Sequence, residues 1–129
     1  MFDKKSLLRR LQELPFSKNE YGVVAGGAMV LHGLRTQTHD IDLGCSTRLA
    51  DKLEQQGYVV SCCEDGTRKI LYSENIEIFE NWIDGTVEII SSVPVVCVDG
   101  LIQMKNKLGR KKDLEDIALI EKMRKSNSF

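Results

Sequence analysis

Residues 21–44, YGVVAGGAMVLHGLRTQTHDIDLG, constrain the fold more than any other stretch of the chain. Val23, Val24 and Ala25 read as an apolar strand. Gly26 and Gly27 follow, and Ala28 to Leu31 form a short helix that Gly33 stops. Beyond the loop Leu34–His39, a second strand alternates Asp40 and Asp42 with Ile41 and Leu43. Successive strand side chains face opposite ways, so both carboxylates point to one face and both apolar residues enter the core. Two strand rises place the aspartate α-carbons roughly 6.5–7 Å apart, within reach of one or two hard cations shared by flexing side chains. Magnesium suits such a pair, because it binds one or two carboxylates and also takes phosphate oxygens from a substrate.

Asp-x-Asp alone is common and usually marks solvated strand or turn residues; here the neighbouring glycines change its weight. Paired glycines between a strand and a helix permit a sharp turn and leave N–H groups open to an anion at the helix start. A phosphate cradle and a carboxylate pair on adjacent strands are complementary parts of a phosphoryl-transfer site.

Gly26-Gly27, His32-Gly33-Leu34-Arg35 and Thr38-x-Asp40-Ile41-Asp42-Leu43 together resemble the nucleotidyltransferase fold of the DNA polymerase β superfamily. The segment 101–117, with Lys105, Leu108-Gly109-Arg110, Asp113 and Asp116-Ile117, is similar to the C-terminal motif of small bacterial AbiEii-type nucleotidyltransferase-like proteins. The resemblance implies an α+β chain with a minimal nucleotidyltransferase fold, a mixed central β-sheet flanked by helices. It also implies magnesium-dependent transfer of a nucleoside monophosphate from an NTP such as ATP to an acceptor hydroxyl. Two Mg2+ ions, or Mn2+ in their place, would sit on Asp40, Asp42 and a third carboxylate, one binding the triphosphate and the other activating the acceptor.

On the same resemblance, the Gly26 and Gly27 N–H groups would hold the β- and γ-phosphates, and Lys105 and Arg110 would neutralise phosphate charge. Asp113 matches a family acid that orients Lys or Arg. Arg35 is open between a phosphate and a surface carboxylate. Thr38 either shares the carboxylate face or hydrogen-bonds its loop. The acceptor would be RNA, a protein hydroxyl or a small molecule. The longer toxin relatives add a helical region at the acceptor site, so an open cleft, a homodimer groove or a partner protein would serve that role here. The alternative is a catalytically inactive binding module for nucleotide, RNA or protein, as in a toxin–antitoxin or defence locus.

Two positions compete for the third carboxylate. Glu77 in Asn75-Ile76-Glu77-Ile78-Phe79 matches the family's position, with one methylene more than the usual Asp. Glu88 in Thr86-Val87-Glu88-Ile89-Ile90 has the same local pattern. His32 and His39 have no partner in sequence and read as structural or exposed.

The remaining pattern predicts one domain over residues 1–129. Leu7, Leu8 and Leu11 give a helix over 3–13 that Pro15 ends. Ser46 or Thr47 caps a helix reaching about Gln56, and strands follow at 58–63, 67–73 and 75–82. Pro94 to Val98 form a short strand or extended entry, and Asp99-Gly100 is a turn or helix cap. Helices cover Leu101–Leu108 and Lys111–Lys125, the second with Leu114, Ile117, Ile120 and Met123 inward, before a frayed tail.

With 18 basic and 19 acidic residues, a strong non-specific grip on nucleic acid is disfavoured, although residues 101–129 carry eight basic and four acidic side chains. Cys45, Cys62, Cys63 and Cys97 have no metal-site spacing and read as free, buried thiols. No apolar run approaches the roughly 20 residues of a membrane span, and the expected location is cytoplasmic. Dinucleotide-binding, Walker and EF-hand spacings are absent.

Overall fold

The computed structural model describes residues 1–127. Helix α1 (Lys4–Gln12) follows a two-residue strand β1 (Phe2–Asp3) and begins with a capping box between Asp3 and Ser6. Strand β2 (Tyr21–Val24) runs into helix α2 (Ala25–Leu31). Gly26 and Gly27 therefore form the first helical turn rather than a loop before it. A short strand β3 (Gln37–Thr38) pairs antiparallel with β1, where a plain loop was expected. Strand β4 (Ile41–Cys45) leads to helix α3 (Thr47–Gln55), capped by the Ser46 side chain. Asp40 stands one residue ahead of β4 rather than within it.

Strands β5 (Val59–Cys62), β6 (Arg68–Ser73) and β7 (Ile76–Glu80) form a meander. Strands β8 (Val87–Ile90) and β9 (Val93–Val96) form a tight antiparallel pair. Helix α4 (Val98–Leu108) starts three residues earlier than expected, because Cys97 caps it and takes Asp99-Gly100 into its first turn. Gly109 ends α4 in the left-handed conformation, and helix α5 (Lys111–Asn127) completes the described chain. The predicted tail lies partly in α5 and partly outside the described residues.

Seven strands make one mixed sheet in the order β5-β6-β7-β4-β2-β9-β8, with β4/β7 and β2/β9 parallel and the other pairs antiparallel. One apolar row crosses it through register partners: Val95, Val23, Leu43, Ile78 and Ile70 are all fully buried. Leu7 and Leu11 of α1, Met29 of α2, and Leu49 and Leu53 of α3 belong to the same core. By strand alternation, the opposite face carries the row Val24, Asp42, Glu77, Leu71, Val59 and, two residues on, the row Gly22, Gly44, Phe79, Lys69, Ser61. Burying one face under helices thus leaves Asp42 and Glu77 adjacent on the other.

To reach β8 from β7, the chain must cross the sheet, and the glycine pair marks the crossing. Gly22 and Gly44 are register partners. A Cβ on Gly44 would stand 2.5 Å from Ile83 Cγ1 and 2.8 Å from the Trp82 carbonyl oxygen. On Gly22 it would meet Ile83 Cδ1 at 3.3 Å. Two missing side chains thus make a trough for residues 82–83, and the strap there sets Trp82 beside Phe79 with ring centroids 4.3 Å apart.

Helix α5 corrects an expectation. Ile120 is buried and Ile117 and Met123 are half-buried, but Leu114 is exposed and its neighbour Asp113 is buried. Ion pairs to Arg110 and Lys105 draw Asp113 inward, and a one-residue step turns Leu114 about 100° away. The cysteines correct another: Cys45 is buried, whereas Cys62 is exposed and Cys63 and Cys97 are intermediate.

Candidate active-site cleft

A cleft of ≈ 570 Å³ opens on the carboxylate face. Its floor includes Asp42, Phe79 and Trp82; one end holds Gly26, Arg35, Thr38, His39 and Asp40; Met104, Lys105 and Leu108 of α4 form the facing wall, with Arg110, Lys112 and Asp113 beyond. Eight of the ten expected site residues thus line one space. Gly27 and Glu77 do not.

Asp42 is the electrostatic centre of the cleft. Burial pushes its carboxyl up to about 6, and the neighbouring carboxylates of Glu77 and Asp40 push in the same direction. Register explains Glu77, which stands directly across the parallel β4/β7 pair from Asp42. Its carboxylate is turned to Lys69, at 2.6 Å. Glu88 is far removed, on edge strand β8 beyond β2 and β9, more than half exposed and 3.8 Å from His32 Nδ1. Of the two glutamates competing for the third position, Glu77 is the one adjacent to Asp42. Among the described residues, no three carboxylate, histidine or cysteine side chains are already gathered into a metal-holding set.

The glycine end is built for close approach. Ala25, between β2 and the body of α2, has φ +55, a left-handed conformation that costs a non-glycine residue on the order of 1–3 kcal/mol. Val24 gives α2 no side-chain cap. A Cβ on Gly26 would meet Thr38 Oγ1 at 2.6 Å and Arg35 Nη1 at 3.1 Å, so only glycine lets the following loop lie against this turn. Gly27 faces the core instead, against Val23 and Leu7. The Thr38 hydroxyl donates to the Asp40 carbonyl at 3.1 Å, fixing the approach to β4.

The basic residues are held by acids of α5. Arg35 Nη2 donates to both oxygens of Asp116 at 3.2 Å, and Lys105 Nζ reaches Asp116 at 2.9 Å and Asp113 at 3.9 Å. Arg110 Nε donates to Asp113 at 2.6 Å, and this pairing holds the buried Asp113 carboxyl below its ordinary range. Asp113 therefore orients Arg110 and Lys105. Arg35 pairs with a carboxylate and also borders the cleft, so the two roles weighed for it are compatible. His32 is structural, its Nε2 2.8 Å from the Val96 carbonyl oxygen, while His39 is exposed at the rim.

Sequence reasoning missed Phe79, Trp82, Met104, Leu108, Lys112 and Asp116. The available signals were the paired Gly22 and Gly44, which imply an overlying segment, and a single tryptophan just past a strand bearing a same-face Glu and Phe.

No protein-family profile and no curated protein matches the chain. Among solved structures it is similar to TM1012 of Thermotoga maritima, described as a "putative nucleotidyltransferase", with a TM-score of 0.56 and 17% identity over 88% of this chain and 87% of that one. At that identity the likeness establishes architecture: the chain has the minimal nucleotidyltransferase fold, a mixed sheet flanked by helices. Among the described residues, no helix is long and apolar enough to cross a membrane.

Proposed function

We propose that the chain is a nucleotidyltransferase that moves a nucleoside monophosphate from an NTP to an acceptor hydroxyl, which attacks the α-phosphorus and releases pyrophosphate. The observation that carries this reading is the position of Asp42: its carboxyl is raised by burial, Glu77 and Asp40, and it lies in a cleft also lined by Arg35, Lys105, Arg110 and Lys112. Crowded carboxylates facing several fixed cations suit a ligand that brings both a hard cation and a polyanion, as a metal–triphosphate does.

The donor set fits magnesium, or manganese in its place. Asp40 and Asp42 offer hard oxygens, and a cation would offset the burial and the carboxylate repulsion that together lift the Asp42 carboxyl. Glu77 joins them when Lys69 releases it. Bound there, a divalent cation would neutralise phosphate charge and lower the pKa of the acceptor hydroxyl. The protein's own groups do the rest. Gly26 lets Thr38 and Arg35 lie against the first turn of α2, and Arg35 and Lys105, held in place by Asp116, would neutralise phosphate oxygens in the cleft. Glu77, if it stays off the cation, is the alternative general base for the acceptor hydroxyl. The finer kinship with AbiEii-type proteins stands on the motifs around Asp40 and Lys105–Asp116.

A second reading is favoured by one contact. Glu77 is committed to Lys69 and does not line the cleft, as in a module that binds nucleotide, RNA or a partner protein without turnover. Calorimetric titration with each NTP, with and without magnesium, separates these from a plain scaffold. Magnesium-dependent binding lost in Asp42→Asn supports a nucleotide–metal site, and labelled NTP then reveals whether transfer occurs. Magnesium-dependent affinity left unchanged in Asp42→Asn would sink the assignment.

A further inference from the structure

The strap end of the cleft has a different chemistry from the glycine end. Trp82 and Phe79 are stacked, with an interplanar angle of 21°, and both rings are half-exposed. Across from them, α4 presents Met104 and Leu108, and Leu108 is 42% exposed. Trp82, Met104 and Leu108 also border a second cavity of ≈ 210 Å³, so the space between the two walls continues past the cleft. The Trp82 indole N–H donates to Thr67 Oγ1 at 3.4 Å, and its main chain sits on Gly44. The ring is therefore fixed in an orientation and partly buried, with some of its surface left to the cleft.

A half-exposed aromatic stack facing a thioether and a leucine is the arrangement that receives a flat ring, because each wall offers dispersion and π contact without demanding a hydrogen-bond pattern. Its position gives the ring a context. Phe79 follows Glu77 by two residues on β7, so the aromatic pair begins roughly 6.6 Å from the carboxylate row, about the span of one ribose. From the glycine end, the cleft runs past Asp42 to Phe79 and Trp82; on the proposed reading these take phosphates, cation and a flat ring in turn. A nucleotide has the same order of phosphates, sugar and base.

We propose that the slot between the Trp82–Phe79 stack and Met104–Leu108 is the nucleobase subsite, binding the base of the NTP by stacking. This rests on the nucleotidyltransferase reading and specifies which part of the substrate each end of the cleft takes. A slot walled by rings and apolar side chains discriminates ring from no ring more strongly than one base from another.

Trp82 is the only tryptophan, so intrinsic fluorescence reports on the slot directly. The full chain is titrated with the magnesium complexes of the four NTPs and of inorganic tripolyphosphate, following emission and heat. At least one NTP should quench Trp82 and bind about tenfold more tightly than tripolyphosphate. Trp82→Leu should bring that NTP to the affinity of tripolyphosphate while leaving tripolyphosphate binding unchanged. Leu108→Asn, at an exposed position on the opposite wall, should weaken the NTP several-fold with the fold intact, and it decides the matter if Trp82→Leu is unfolded. Equal affinity for NTP and tripolyphosphate, insensitive to both variants, would overturn the slot and leave the phosphate end standing. Failure of both ligands to bind would remove the slot together with the reading beneath it.

Discussion

Asp42 and Glu77 are register partners on the parallel strands β4 and β7, so two carboxylates lie side by side on one face of the sheet. Burial and this neighbour lift the Asp42 carboxyl to about 6, above its unfolded value of roughly 3.9. The folded state therefore binds the proton more tightly than the unfolded chain. Between about pH 4 and 6, this group makes stability fall as pH rises, and at pH 7 the charged carboxylate is a net cost. Asp42→Asn removes that charge at nearly constant shape. The variant should gain on the order of 2 kcal/mol at pH 7 and nothing below about pH 4, read from urea unfolding at both pH values. A loss of stability at pH 7 would show that Asp42 holds the fold rather than waiting for a cation.

Lys69 Nζ lies 2.6 Å from Glu77 and 5.9 Å from the Phe79 ring centroid. It supplies a positive charge where a divalent cation would otherwise draw Glu77. Lys69→Met keeps most of the stem against Phe79 and deletes the charge. Manganese titration followed by electron paramagnetic resonance should give a several-fold higher affinity in this variant. Equal affinities would mean that Glu77 takes no part in holding the metal.

The carboxylate face was legible because strand alternation is local: Ile41, Asp42 and Leu43 settle which way Asp42 points before any partner strand is known. Glu77 was legible as the favoured of two candidates, with Glu88 its rival. The strand order, which puts β7 beside β4 and β8 at an edge, then separates it from Glu88 in space. The aromatic wall was not legible, because Trp82 lies in a strap whose path depends on contacts far along the chain. Helix α5 misled for a related reason. Its apolar spacing is genuine, but the ion pairs of the buried Asp113 with Arg110 and Lys105 decide which residues face inward.

That strap makes Gly44 a sensitive position. A methyl group there would stand 2.5 Å from Ile83 Cγ1 and 2.8 Å from the Trp82 carbonyl oxygen, which is backbone and cannot swing aside. Alanine normally improves on glycine within a strand. Gly44→Ala should instead cost about 1–3 kcal/mol by overpacking and shift Trp82 emission to the red as the ring loses cover. An unchanged emission spectrum with undiminished stability would mean that residues 82–83 do not lie on the glycine trough.

Asp113 is 1% exposed and bonded through both oxygens, with Arg110 as its principal partner and Lys105 nearby. Its carboxyl is held low chiefly by the hydrogen bond from Arg110. A depressed folded value gives stability that is present above the unfolded range near 3.9 and is lost as pH falls through the folded value. Asp113→Asn leaves Lys105 and Arg110 without that charge in a partly buried place, and should cost about 3 kcal/mol at neutral pH. The penalty should shrink in acid, where the native carboxyl is itself protonated. Nucleotide affinity provides a separate readout, because Lys105 keeps Asp116 at 2.9 Å while Arg110 loses its salt-bridge partner. Combined with Arg110→Ala, the variant should show a strongly non-additive loss in stability. Simple additivity in that cycle would mean that the two side chains do not act as a unit.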